Sequence, residues 1–200
     1  MNCGTLLGDR PTLGSWMSYG LGSDNQDLPA YTVLTSGVSD GQPLLQSFWG
    51  NGFLDSRHAG VPFRNSGAPV LHLDNPKGVG TQDRRRELDL IQWMNGRQHE
   101  ALGDPEITTR IASYELAFRM QMAVPEVVNL KRETSATQEL YGLNDATTKT
   151  VGRQSLVARR LVERGVRFVQ IYDDGWDAHS KLIANHTTRS KAVDKPIAGL

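Results

Sequence analysis

The chain has 200 residues, enough for one domain with a packed core, or part of one, and short for two. Its 22 Lys and Arg balance 22 Asp and Glu, so no basic excess marks nucleic acid or an anionic membrane as the main partner; a small or uncharged ligand suits it better. A hydrophobic fraction of 38% with 20 glycines fits a loop-rich globular protein, and no apolar run approaches the roughly 20 residues that span a membrane.

Residues 1–11 contain neither a basic stretch nor an apolar one, so no export signal is visible there. Cys3 is the single cysteine, which excludes an internal disulfide and a thiolate zinc cluster. Residues 1–22 hold Gly4, Gly8, Gly14, Gly20 and Gly22 with Pro11 and read as irregular turns, with Trp16 and Tyr19 anchoring them to a core. Pro29 opens the β-branched run 30–35, a buried strand closed by Ser36 and Gly37. From Val38 to Gly67 the chain reads as a long loop carrying Phe48, Trp49, Phe53 and Phe63, aromatics that either pack on the body or shape a site. Pro69 to Leu73 is a short strand candidate that Asp74, Asn75, Pro76 and Gly78 end.

Helical spacing then dominates. Residues 83–102 read as a helix with Leu88, Ile91 and Met94 along one side, weakened at Gly96. Asp104 as N-cap and Pro105 in the first turn announce a second helix, with Ile107, Ile111, Tyr114, Phe118 and Met122 as its apolar stripe. Glu106 with Arg110 and Glu115 with Arg119 are candidate pairs on its surface, and Val124-Pro125 ends or restarts it. Thr134 or Ser135 caps a short helix that stops at Gly142. Residues 148–164 form a further helix with Val157, Ala158, Leu161 and Val162 on one side, and Gly165 supplies its C-terminal turn. One residue later the strand Val166 to Ile171 begins. Helix, glycine, strand is the return half of a β-α-β unit, so the expected fold class is α/β, a mainly parallel sheet covered by helices. Asp194 and Pro196 look like the N-cap and first turn of another helix, which the end at Leu200 would cut short.

In such sheets ligands and catalytic groups gather beyond the carboxyl ends of the strands. Asp173, Asp174, Asp177 and His179 occupy that place, and oxygen with imidazole nitrogen donors suits a divalent ion such as zinc or manganese. Gly175 lets the loop turn so that Asp177 and His179 face one point, and His186 reads as a surface or packing residue, with an additional ligand or substrate contact as the alternative. The alternative is a solvated turn in which the D-x-H triplet is structural. His72 reads as a core histidine inside its strand, while His58 and His99 read as ordinary loop and helix-surface residues. Arg84, Arg85 and Arg86 read as a solvated face, with an anion site as the alternative. No nucleophile elbow, P-loop or dinucleotide fingerprint occurs, and no catalytic nucleophile is assigned.

Several blocks in order resemble a known family. They are Met1-Asn2-Cys3-Gly4, Arg10 to Trp16, Tyr19 to Gly22, Asn25 to Ala30, Asp104 to Ile107, Tyr114 to Gln121, Ala158 to Gln170 and Gly175-Trp176-Asp177-Ala178-His179. Together they resemble the sulfatase-like family of unknown function DUF1501, of the alkaline-phosphatase-like superfamily, over the whole chain. The resemblance implies a partial α/β/α sandwich of alkaline-phosphatase-like type. It also implies metal-dependent hydrolysis of sulfate or phosphate esters, with Asp177 and His179 as ligands and His186 at a place where the family often has histidine. The metal is divalent, with zinc, manganese, calcium and magnesium not distinguished. The substrate is a small-molecule or extracellular glycan ester, and twin-arginine export places the full-length protein in the periplasm or outside the cell.

Family members also carry an earlier strand with further ligands, a nucleophile segment, a G-E-F-G-R-T block and a later histidine, none of which occurs in residues 1–200. The resemblance therefore implies a single incomplete sulfatase-like domain over 1–200, truncated at both ends, that binds metal weakly and does not turn over by itself. The alternative is a non-catalytic scaffold of the same fold that binds carbohydrate through Trp16, Phe48, Trp49 and Phe53.

Overall fold

In the computed structural model, which describes residues 2–4, 9–36 and 46–200, the run after Pro29 forms strand β1, Tyr31–Thr35. It is the centre of a three-stranded sheet of order β2-β1-β3, in which β2 is Val61–Arg64 and β3 is Phe168–Tyr172. Both neighbours run parallel to it, with Leu34 opposite Phe63 on one side and Ile171 on the other. Alternation along β1 divides its side chains between two layers. Leu34 joins Phe63, Val124, Val127, Leu156 and Leu161 in the larger core, while Tyr31 and Val33 pack with Trp49, Phe168 and Tyr172. A strand buried on both faces explains the near-continuous apolar run that marks it in the sequence.

Six α-helices occur among the described residues: α1 Leu13–Leu21, α2 Thr81–Leu102, α3 Pro105–Val128, α4 Ser135–Leu140, α5 Lys149–Glu163 and α6 Leu182–Gly199. The architecture is thus mixed α/β with a small parallel sheet, as the sequence predicts. Among the described residues no helix is long and apolar enough to cross a membrane. Helix α3 starts where its cap places it, the Asp104 carboxylate accepting from the Glu106 N–H at 2.9 Å. Helix α5 ends at Gly165 with φ 84°, where the Val166 N–H reaches Leu161 O at 3.1 Å and the Gly165 N–H reaches Val162 O at 2.9 Å. That paired closure turns the chain directly into β3.

Several expectations are corrected. Residues 69–73 form no strand: His72 has φ 57° and is exposed, and the Pro69 carbonyl instead accepts from the Arg64 N–H at 2.7 Å. The third strand lies in the supposed loop, because Phe63 fills the core opposite Leu34. Residues 13–21 are helical, with the small residues Gly14, Ser15 and Ser18 buried; a Cβ on Gly14 would meet the Tyr31 ring at 2.4 Å. Small residues let α1 sit close to the sheet, so Trp16 and Tyr19 face outward rather than anchoring it. Pro125 lies inside α3, whose buried Val124 and Val127 hold the helix through the missing N–H. Likewise Asp194 and Pro196 lie inside α6, which packs on α4 and α5 with Pro196 buried and Lys195 paired to Glu139, so no new helix starts there. Part of the long loop, residues 38–45, lies outside the described residues, as do Met1, residues 5–8 and Gly37.

Charged side chains tie the helices together differently from the surface pairs expected. Arg85 reaches across from α2 and donates to both Glu115 oxygens at 2.6 and 2.9 Å, while Arg119 approaches Asp27 at 3.8 Å. This fork holds the Glu115 carboxyl below its usual range and the Arg85 guanidinium above its own. Glu106 accepts from Ser56 Oγ at 3.1 Å. Arg84 and Arg86 pair with Glu87 and Asp83 on their own helix, so the arginine run has carboxylate partners of its own. The stripe expected on α3 is only partly inward: Ile107 is buried, whereas Met122 is exposed and Met120 takes the core position.

Candidate functional site

The loop after β3 is aimed by the end of the sheet ladder. Thr35 pairs with Tyr172, and Ser36 then holds the Tyr172 carbonyl through its backbone N–H at 3.0 Å and its hydroxyl at 3.1 Å. The Tyr172 hydroxyl donates to Phe48 O at 2.9 Å, and burial pushes it up to about 12. Residues 173–181 therefore leave from the carboxyl edge of a parallel sheet, where β1 also ends.

Within the loop the structure separates the candidates. Asp177 Oδ2 and His179 Nε2 lie 3.1 Å apart, with their side chains 56% and 87% exposed. Two donors at about 2.0 to 2.1 Å from one tetrahedral ion are about 3.3 Å apart, so this pair has the spacing of two adjacent ligands. It is equally the spacing of an imidazole N–H donating to a carboxylate. Asp173 accepts from Trp176 Nε1 at 2.9 Å, and Asp174 faces Arg189 of α6 at 3.7 Å. His186 stacks obliquely on Trp176, with ring centroids 5.8 Å apart. Among the described residues no three His, Cys, Asp or Glu side chains come together to hold an ion. Asp177 and His179 thus offer at most two donors to a divalent ion, at a spacing that an imidazole–carboxylate hydrogen bond also has.

Sequence reasoning missed Arg189. Gly175 has φ 77°, and a Cβ there would meet the Arg189 guanidinium at 2.5 Å, so the loop folds directly against this cation. The glycine between two acidic residues and a tryptophan was the available signal for a close approach; nothing in the sequence named its partner. Lys181, at φ 49°, then turns the chain into α6.

The aromatic residues divide as well. Trp16 and Phe53 are exposed and meet edge to face at 5.7 Å, with Tyr19 on the other side of Trp16 at 6.0 Å. Tyr19 in turn touches His58, whose Nδ1 lies 2.9 Å from Ser18 Oγ. His58 is thus built into the α1 contact rather than being an ordinary loop residue. Trp49 is buried against Tyr172 and does not share the aromatic face expected of it. His99 also has a structural place, its Nδ1 lying 3.0 Å from the Asp104 carbonyl in the α2–α3 turn.

The chain is 30% identical over 128 residues to a protein of Streptomyces avermitilis named "Probable phosphoketolase". That similarity covers 62% of the chain and only 16% of the length of the relative. No solved structure matches the chain significantly. A family profile matches residues 1–200 from end to end, and the chain belongs to that family, described as "Protein of unknown function (DUF1501)".

Proposed function

We propose that the loop after β3 is half of a divalent-metal site in a hydrolase of sulfate or phosphate esters, with an alkaline-phosphatase-like α/β/α fold. The observation that carries this reading is the 3.1 Å approach of Asp177 Oδ2 to His179 Nε2 beyond the carboxyl edge of the sheet. Asp177 and His179 would hold the ion, and Asp174, held toward Arg189, would stiffen the loop that carries them. When bound, the ion supplies Lewis acidity for the transferred group. Two donors alone would hold such an ion weakly, and no nucleophile is assigned among the described residues. The substrates are glycan or small-molecule esters outside the cytoplasm, reached by twin-arginine export of the full-length protein.

Titrating the chain with zinc, manganese, calcium and magnesium while following histidine resonances by NMR tests the site directly. His179 signals should shift or broaden with one of these ions, and Asp177→Ala should abolish the response. A wild-type response unchanged in Asp177→Ala and His179→Ala would refute the half-site. Full-length protein assayed on sulfate and phosphate esters, with the same two variants, tests the reaction. A second reading, a carbohydrate-binding scaffold without chemistry, is favoured by the exposed Trp16–Phe53 pair. Glycan binding that survives a chelator and falls in Trp16→Ala would support it.

A further inference from the structure

We propose that α2 is a self-association surface on which a second copy of this chain docks antiparallel, about a two-fold axis at Trp93. This inference is independent of the hydrolase reading. Helix α2 packs its inner side on α3, burying Leu88 and reaching across with Arg85. Its outer side leaves Leu90, Trp93 and Met94 exposed by 57%, 64% and 56%. An indole so open, flanked by two long apolar side chains, is the composition of an interface anchor rather than of a solvated helix face.

The charges around Trp93 select the occupant and its direction. In an antiparallel pair with the axis at Trp93, positions equally far before and after it meet across the interface. Arg86, seven residues before, meets Glu100, seven after; Asp89, four before, meets Arg97, four after. All four project within about 60° of Trp93 around the helix, so they share its face. Gly96, about 60° from Trp93 around the helix, presents no side chain, and a Cβ there would meet nothing within 4 Å, so a partner helix can approach closely along that edge. Each opposite-charge contact then occurs twice. A parallel arrangement would instead stack Arg86 on Arg86 and Glu100 on Glu100. Within one chain Arg86 lies 3.4 Å from Asp83, and Asp89 lies 2.7 Å from Arg85, exposed pairs that exchange partners at little cost.

Sedimentation velocity on the 200-residue chain from about 10 µM to about 1 mM tests the proposal, a range suited to a small interface with one aromatic anchor per protomer. The wild type should form dimers, and Trp93→Glu should weaken them by about 30-fold or more. Arg86→Glu alone and Glu100→Arg alone should each stay monomeric, because each sets like charges across the axis. Mixed in equal amounts, these two variants should dimerise with each other, as should the Arg86→Glu/Glu100→Arg double variant with itself. Residues 86 and 100 lie about 21 Å apart along one helix, so contact within a chain cannot produce this rescue. Circular dichroism confirms that each variant is folded. A monomeric wild type across the range, single variants that still dimerise, or a mixture that stays monomeric would each overturn the proposal.

Discussion

Replacing Arg160 by Met should destabilise the fold by about 3 to 4 kcal/mol, because this side chain closes the end of α3 from inside. Arg160 is buried; its Nε donates to Val127 O and its Nη2 to Glu126 O, both at 2.8 Å, and it also pairs with Glu133. These are carbonyls of the last helical turn, which has no intrahelical donors left. Methionine keeps much of the stem and removes every donor. Hydrogen bonds to a charged group are worth about 1.5 to 3 kcal/mol each, but they do not add fully, and Glu133 retains Arg159 at 3.0 Å. In a chain of this size the loss corresponds to a fall in Tm of about 6 to 16 °C. The acid side provides a second readout. Burial alone would raise the Glu133 carboxyl, but hydrogen bonds from Arg160 and Arg159 outweigh it and hold the group below its ordinary 4.5. That contribution is complete above the unfolded value and disappears as the pH falls through the folded one. Wild-type stability should therefore drop below about pH 4.5, and the drop should shrink in Arg160→Met. Urea unfolding followed by circular dichroism between pH 3 and 7 measures both effects, with Arg160→Lys expected between wild type and Met. A loss under about 1 kcal/mol, or an unchanged acid limb, would refute this account of the α3 terminus.

Two further outcomes concern the site and the aromatic face. Gly175→Ala should destabilise by about 1 to 2 kcal/mol, since it adds a left-handed backbone penalty to a clash with Arg189; in an Arg189→Ala background only the backbone part, about 1 kcal/mol, should remain. Equal losses in both backgrounds would show that the Arg189 guanidinium yields to the added methyl without cost and does not hold the loop in place. His58 is held below its usual value by burial, and then by Arg57, so the folded chain favours its neutral form. Its contribution to stability is complete above the unfolded value of about 6.5 and is lost as the pH falls toward the folded one. An NMR titration midpoint at or above 6.5 would contradict the burial seen against Ser18 and Tyr19.

The parts of this fold that could be read from the sequence are those in which local chemistry and tertiary demand agree. Asp104-Pro105 starts α3, Gly165 ends α5, and the run after Pro29 is the central strand; each satisfies its own backbone in the way its neighbours require. The errors fall where packing overrules a local signal. Pro125 and Pro196 look like breaks, yet core contacts around both helices offset one missing hydrogen bond. The sequence 69–73 has better strand spacing than 61–64, but pairing goes to the segment whose phenylalanine fits opposite Leu34. Gly14, Ser15 and Ser18 conceal a helix, because their value is small size against Tyr31, and that becomes visible only once the sheet exists.

The site obeys the same rule. Asp177 and His179 were legible because a two-residue spacing on one loop lets both donors meet without help from elsewhere, and they do meet at 3.1 Å. Arg189 was not, because its contact with Gly175 and Asp174 depends on how α6 returns across the loop. Local sequence therefore supplies the Asp177–His179 contact, and the helix that follows packs on the loop that carries it. If Asp177 and His179 act together on an ion, Arg189→Ala should weaken the response of His179 to the metal by loosening the loop, which the same NMR titration measures. Asp173 and His186, the further candidates offered by the sequence, both turn to Trp176 instead.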